Sequence, residues 1–149
     1  MSTWWIEEPY LLGSHNPTNR ELAQLRKVGF NVLISFLQES EQTPRYDIAY
    51  VQALGYQRYN FPVRDFTPPT IEQLEQFIAL FDQSAASEKM ILHCEGGIGR
   101  TGTFAAAYWV AKGMTAEAAV HRIRQVQPHA VETAEQREVV EKYAQSFRL

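Results

Sequence analysis

Residues 89–102 read Lys-Met-Ile-Leu-His-Cys-Glu-Gly-Gly-Ile-Gly-Arg-Thr-Gly. Met90, Ile91 and Leu92 form the short apolar run of a buried strand, the glycines make room for a tight turn, and Arg100-Thr101 opens a helical pattern. A strand that delivers a cysteine into a glycine-rich turn at a helix start sets the thiol beneath backbone N–H groups that converge on an anion. Cys94, the one cysteine in the chain, then lies at the base of an oxyanion cradle made by Glu95, Gly96, Gly97, Ile98, Gly99 and Arg100. The Arg100 guanidinium can fork two N–H bonds onto a tetrahedral oxyanion, which a lysine cannot do. A helix N-terminus and a nearby guanidinium predict a Cys94 pKa below the free value of about 8.5, toward roughly 3.5 to 7.5, and so a thiolate at neutral pH. A phosphate group fits every part of this cradle.

Outward from this stretch, threonines mark the helix starts. Thr18-x-x-Glu21, Thr70-x-x-Gln73 and Thr133-x-x-Gln136 match the capping box, and Thr115 with Glu117 marks a fourth start. Gly29, Gly55 and Gly113 stand where helices over 19–28, 45–54 and 102–112 would end. Segments 31–37, 56–63 and 89–93 carry the β-branched and aromatic residues of strands, with a shorter strand over 10–12. Strands alternating with helices, then three helical patterns over 103–147, predict an α/β fold: a mostly parallel central sheet with helices on both faces and a helical C-terminal part. At 149 residues, 45% hydrophobic and 21% charged, the chain suits one domain over 1–149.

Open α/β sheets bind ligands at the carboxyl ends of their strands. Val63 and Cys94 each end a predicted strand, which brings Asp65 to Cys94 across 28 intervening residues. Asp65 is the candidate general acid, on a loop stiffened by Pro62, Pro68 and Pro69 and with Phe66 lining the cleft; the other reading is a plain turn aspartate. Gly97-Ile98-Gly99-Arg100-Thr101-Gly102 also matches G-x-G-x-x-G. A dinucleotide site needs a second parallel strand ending in an acid about 20 residues on, whereas Glu117 falls in the first turn of a helix, so that reading fails.

Fourteen basic and 17 acidic residues give a net charge of −3. No general field draws in nucleic acid or anionic lipid, so neither a nucleic-acid nor a membrane partner is expected. One cysteine excludes an internal disulfide. Met1 to Tyr10 carry Glu7 and Glu8 without a long apolar run, and no stretch approaches 18 apolar residues, which sets the expectation of a reduced, cytoplasmic setting. The chain has no spaced His/Cys/Asp cluster for a metal, and no cofactor is expected. A monomer is the default.

The His93-Cys94-x5-Arg100-Thr101 string resembles the signature of the cysteine-dependent protein tyrosine and dual-specificity phosphatases. The surrounding chain is most similar to their compact, atypical dual-specificity type. The resemblance extends over Trp5-Ile6-Glu7 to Leu12-Gly13, Phe61-Pro62-Val63-Arg64-Asp65-Phe66 with Pro68 and Pro69, and Pro128 to Gln136. It implies a protein-tyrosine-phosphatase-like fold and hydrolysis of phosphotyrosine, and more slowly of phosphoserine and phosphothreonine, through a phosphocysteine. In that scheme Cys94 is the nucleophile, Arg100 and the N–H groups of the turn bind phosphate, and Asp65 protonates the leaving group. Thr101 stabilises the departing thiolate, His93 holds the loop, and Gln136 orients water. Plainer readings stand beside these: a buried hydrophobe for Cys94, a buried imidazole for His93, a helical polar residue for Thr101 and a capping side chain for Gln136. Glu39 and Glu41, just past the second strand, are read as solvated surface, with contact to Arg100 or Asp65 as the alternative.

Two positions depart from the family pattern. Gln127-Pro128-His129 stand where relatives commonly show Arg-Pro-Gly, which puts the contact made by that arginine in doubt. Glu95 and Ile98 stand where phosphoinositide phosphatases tend to carry lysines, which argues against a multiply charged lipid head group. A lipid phosphatase, an RNA 5′-triphosphatase built on the same C-x5-R loop, and a rhodanese-like sulfurtransferase are the alternatives to a phosphoprotein phosphatase.

Overall fold

The computed structural model describes residues 2–42, 45–84 and 88–147. In chain order the elements are β1 (Thr3–Glu7), β2 (Leu11–Ser14), α1 (Asn19–Lys27), β3 (Phe30–Ser35), α2 (Glu39–Gln42), α3 (Ile48–Ala53), β4 (Gln57–Asn60), α4 (Ile71–Gln83), β5 (Lys89–His93), α5 (Gly99–Ala111), α6 (Ala116–Val126) and α7 (Ala134–Gln145). The five strands lie in the order β1-β2-β5-β3-β4. β1 runs antiparallel to β2, and the other three pairings are parallel. This is the mostly parallel sheet expected from the sequence.

Alternation along the strands explains the two layers of helices, because successive side chains leave opposite faces. Leu11, Val32, Ile34, Met90 and Leu92 join the larger core with Phe77 of α4, Phe104 and Trp109 of α5, Val120 of α6 and Val140 of α7. Leu12, Leu33 and Ile91 point the other way, to Leu22 of α1 and Val51 of α3. Helix α5 is buried along all but its last residue, Gly99 to Val110, which explains why it lacks an amphipathic signature. The rings of Phe36 and Phe104 stack with centroids 3.9 Å apart above the sheet, close behind the loop that follows β5.

Threonine caps form as the spacing predicts. Thr18, Thr70 and Thr133 each complete a reciprocal capping box, and the Thr115 hydroxyl accepts from the Ala118 N–H. Gly29, Gly55 and Gly113 follow the C-caps of α1, α3 and α5 with φ near +105°. The boundaries differ in instructive places. Strand β4 stops at Asn60 rather than Val63, because Pro62 has no N–H to give the ladder; Phe61 and Val63 still donate to the carbonyls of Ser35 and Phe36. Helix α5 begins at Gly99, three residues before the predicted start, and α3 begins at Ile48 behind an Asp47 cap. Strand β1 and helix α2 lie outside the sequence expectation.

Register settles where the loops emerge. Ser14, Ser35 and His93 lie side by side at the ends of β2, β3 and β5, with Asn60 opposite Ser35. The segments after all four strands therefore leave from one edge of the sheet.

Candidate active site

Cys94 is the first residue beyond β5 on that edge, and its side chain is 2% exposed. The turn after it is tied from outside. Asn16 N–H donates to the Glu95 carbonyl at 2.9 Å, and Trp4 Nε1–H donates to the Gly97 carbonyl at 2.8 Å. In a trans peptide the N–H opposes the C=O, so turning these carbonyls outward turns the N–H groups of Gly96 and Ile98 inward. The Gly97 N–H itself lies 3.2 Å from Cys94 Sγ. Gly97 holds φ +76°, and a Cβ there would stand 2.6 Å from the Ser14 carbonyl carbon and 2.7 Å from the His15 nitrogen. Backbone atoms cannot swing aside, so glycine is required at this point. Thr101 Oγ1 donates to Sγ at 3.1 Å. Two donors on one sulfur suit an acceptor that carries negative charge.

Arg100 is 1% exposed. Its Nη1 donates to Glu41 Oε1 and to the Val63 carbonyl, each at 2.8 Å, and Nη2 donates to Glu41 Oε2 at 3.0 Å. Burial alone would lower its pKa, but the Glu41 hydrogen bonds, helped by the charges of Cys94 and Asp65, outweigh it and hold the guanidinium protonated. Arg100 Nε–H is buried and has no hydrogen-bond partner among the described residues. A buried charged donor left unpaired is costly unless a ligand completes it.

Glu41 corrects the surface reading. Arg100 holds its carboxyl below the ordinary value of 4.5, against the opposing effect of partial burial. Glu39 remains exposed. The buried pair Phe36-Leu37 brings the chain back over the sheet edge, and Glu41 Oε1 caps the Gln38 N–H of its own short helix. That Gln38-x-x-Glu41 spacing was the available signal, masked by the neighbouring charge of Glu39.

A carboxylate whose folded pKa is depressed contributes stability that is present above its unfolded value and lost as pH falls through the folded one. Melting temperatures of wild type and Glu41→Ala should therefore differ most near pH 7 and converge below about pH 4.5. At neutral pH the loss should be about 3 kcal/mol, since a buried arginine loses its bidentate partner and keeps only the longer, half-exposed contact to Asp65. A pH-independent difference would detach Glu41 from this pair.

Asp65 stands on the loop between β4 and α4. Its carboxylate is 46% exposed, lies 3.4 Å from Arg100 Nη2 and accepts the Phe66 N–H at 3.0 Å. Thr67 closes the turn with its N–H and hydroxyl on the Arg64 carbonyl. Phe66 is 59% exposed and sits at φ +65°. Gln136 is fully buried; its Oε1 accepts from the N–H groups of Glu132 and Thr133, and its Nε2 donates to the Thr67 carbonyl at 3.3 Å. Both ends of the amide are taken, so Gln136 joins the start of α7 to the Asp65 loop, in line with the capping reading.

His93 is completely buried, and burial pushes its pKa down to about 3. Its Nε2 lies 2.7 Å from the Tyr46 hydroxyl and its Nδ1 lies 3.3 Å from the Cys94 carbonyl oxygen. On the far side of the loop, Arg124 donates to the carbonyls of Ala130 and Val131. This holds the segment against Gly102, where a Cβ would stand 2.8 Å from Ala130 Cβ. With Arg124 in that place, the segment is anchored without an arginine at position 127. Trp4, Asn16 and Tyr46 escaped the sequence reading because each acts on a group distant in the chain, and Arg124 because it acts on backbone carbonyls that carry no side-chain signal.

A thiol at the base of an inward-facing N–H cradle, an unpaired arginine donor and a carboxylate on the neighbouring loop define the class of cysteine-based phosphatase folds. A family model described as "Swiss Army Knife protein, DSP-PTPase phosphatase domain" matches residues 2–140, and the chain belongs to that family. Among curated proteins, "Protein tyrosine phosphatase domain-containing protein 1" of Bos taurus is 30% identical over 98 residues, covering 65% of this chain. The chain spans only 12% of that relative's length. Among solved structures, Tk-PTP in its active form superposes with a TM-score of 0.88 at 27% identity, over 97% of each chain. PTPMT1 in complex with PI(5)P shares the fold, with a TM-score of 0.84 at 18% identity over 98% of this chain and 96% of the other.

Among the described residues no group of three or more His, Cys, Asp or Glu is placed to hold a metal ion. No helix among them is long and apolar enough to cross a membrane.

Proposed function

We propose that the protein is a phosphoprotein phosphatase that hydrolyses phosphotyrosine, and more slowly phosphoserine and phosphothreonine, through a phosphocysteine. The observation that carries this reading is the buried Arg100 Nε–H, without a partner among the described residues, beside a turn whose Gly97 N–H meets the Cys94 sulfur. A tetrahedral dianion would satisfy all of these donors together.

The Cys94 thiolate attacks phosphorus in line, and the S–P bond forms as the bond to the leaving oxygen breaks. The cradle and Arg100 carry the charge on the equatorial oxygens, and Asp65 gives its proton to the departing oxygen. Water then attacks phosphorus and passes a proton to Asp65, while Thr101 donates to the departing sulfur. A neutral His93 keeps a second positive charge away from the sulfur, so charge stabilisation falls to Arg100 and the backbone. The reaction is assigned to a cytoplasmic setting, and it calls for no metal or cofactor.

The test is a kcat/KM panel over phosphotyrosine, phosphoserine and phosphothreonine peptides, with an aryl phosphate, a phosphoinositide, triphosphate-ended RNA and thiosulfate alongside. Phosphotyrosine and the aryl phosphate should lead, because their leaving groups are weaker bases than alkoxides. Glu95 on the rim should disfavour the phosphoinositide and the RNA by like-charge repulsion. Fastest turnover on the lipid, the RNA or thiosulfate would replace this function with the corresponding one.

Peroxide should inactivate the enzyme without forming an internal disulfide, since the chain has one cysteine. The thiolate reduces peroxide to water and becomes a sulfenic acid, which goes on to a sulfenamide with backbone nitrogen or to sulfinic and sulfonic acids. Mass spectrometry should find these adducts at Cys94, with phosphate protecting it. Lost activity with Cys94 unmodified would exclude it as the reactive group.

A further inference from the structure

Arg58 on β4 touches neither the sulfur nor the cradle, yet it begins a chain of hydrogen bonds that ends on the cradle's first peptide. Its Nε donates to the Tyr46 hydroxyl at 3.0 Å and its Nη2 donates to Gln42 Oε1 at 3.0 Å. The Tyr46 hydroxyl meets His93 Nε2, and His93 Nδ1 meets the Cys94 carbonyl.

The proton positions in this chain follow from which groups can only donate. A guanidinium only donates, so Arg58 takes a lone pair of the phenol oxygen; Ser35 and Gln42 also face that oxygen, and of its neighbours His93 Nε2, at 2.7 Å, is assigned the phenol's own proton. Tyr46 keeps that proton, since burial raises its pKa above the usual 10 despite Arg58. A neutral imidazole has a single N–H. With Nε2 accepting from Tyr46, the proton must sit on Nδ1, where it faces the Cys94 carbonyl.

We propose that Arg58 is a positioning residue for Cys94: it orients the Tyr46 hydroxyl, the hydroxyl sets the His93 tautomer, and that tautomer holds the Cys94 carbonyl. The proposal rests on the phosphatase reading for its kinetic consequence and on the hydrogen-bond geometry for the rest. Gln42, which steadies Arg58, is the chain neighbour of Glu41, which grips Arg100. Two adjacent residues of α2 therefore tie both ends of the 94–100 loop, one directly and one through the relay. This also gives the otherwise isolated four-residue helix a purpose.

Selective ¹⁵N labelling of histidine reads the tautomer directly, and an aryl phosphate reads the rate. Wild type should show His93 protonated at Nδ1 alone. Arg58→Met, which keeps the aliphatic stem, should populate the Nε2–H tautomer and lower kcat by about fivefold to tenfold, the size of one hydrogen bond, with KM little changed. Tyr46→Phe should cost the same, and the double variant no more than either single one, because members of one relay do not add. Arg58→Lys, which restores a donor, should recover the wild-type tautomer and most of the rate.

A wild-type His93 carrying its proton on Nε2 would overturn the proposal. So would an Arg58→Met protein with wild-type tautomer and kcat, or losses that multiply in the double variant. If Arg58→Met does not fold, the wild-type spectrum with Tyr46→Phe and Arg58→Lys decides the matter. A wild type inactive on every phosphoester would overturn the phosphatase reading instead, leaving the relay to be judged by the imidazole spectra.

Discussion

Cys94→Ser should hold less than about one per cent of wild-type turnover while still binding phosphate or vanadate, because a nucleophile lost from a covalent mechanism normally costs several orders of magnitude. The two properties separate because different atoms supply them. On the proposed reading phosphate is held by Arg100 and by N–H groups whose direction is fixed from outside, through Trp4 on the Gly97 carbonyl and Asn16 on the Glu95 carbonyl. None of these contacts involves the sulfur. The chemistry depends on an ionised nucleophile, and a serine hydroxyl in the same place keeps its proton, with no base among the groups that touch Sγ to remove it. The Gly97 N–H can only donate to that atom, and the Thr101 hydroxyl is far too weak a base to take a proton from it. Calorimetry with vanadate and single-turnover assays with an aryl phosphate read the two halves apart. Turnover above the stated level would remove the phosphocysteine, and loss of vanadate binding would show that the sulfur itself shapes the cradle.

Much of this arrangement was open to reading in the sequence, for a local reason. Residues 89–102 carry strand, turn and helix start in one run, so the delivery of Cys94 into a glycine-rich turn depends on near neighbours, while the aim of the turn's N–H groups is set from outside by Trp4 and Asn16. The threonine capping boxes are equally local. What stayed hidden is what the tertiary fold brings in from elsewhere. Glu41 looks like one of several charges on a polar segment until Phe36 and Leu37 are buried beneath it. Trp4 reads as an apolar residue near the start of the chain, while its indole N–H serves a carbonyl 93 residues away. Gln136 carried two readings, and the structure shows its amide already engaged at both ends.

Strain is gathered at the same edge of the sheet. Among the described residues, Phe66 at φ +65° and Val131 at φ +61° are the non-glycine residues with positive φ. Such conformations cost of order 1–3 kcal/mol each and persist only where their surroundings over-determine them. Phe66 follows Asp65 and is held by the turn that Thr67 closes. Val131 lies against Gly102 and is held by Arg124 on its carbonyl. Gln136 reaches both sides, with Glu132 N–H on one end of its amide and the Thr67 carbonyl on the other. The two strained segments that flank the cradle are thus bridged by one buried side chain, which gives the Asp65 loop a fixed support instead of a free hinge.

Asp65→Asn should lower kcat on a phosphotyrosine peptide by about 10²- to 10⁴-fold, the range ascribed to general acid catalysis, with KM little changed. The KM expectation follows from the geometry. Asp65 lies 3.4 Å from Arg100 Nη2, but Glu41 already supplies the bidentate counter-charge, so the guanidinium keeps its place without Asp65. The kcat expectation depends on the leaving group. A phenolate of low basicity departs without a proton and an alkoxide does not, so the loss should shrink on activated aryl esters and grow on phosphoserine. An acid that must begin protonated also gives the wild-type rate a falling alkaline limb, which the asparagine variant should lose while keeping the acid limb. Equal losses on activated and unactivated esters, with the alkaline limb intact, would return Asp65 to the role of a turn residue. Glu41 would not replace it, because Arg100 holds that carboxyl ionised, and the search for the acid would move to another group.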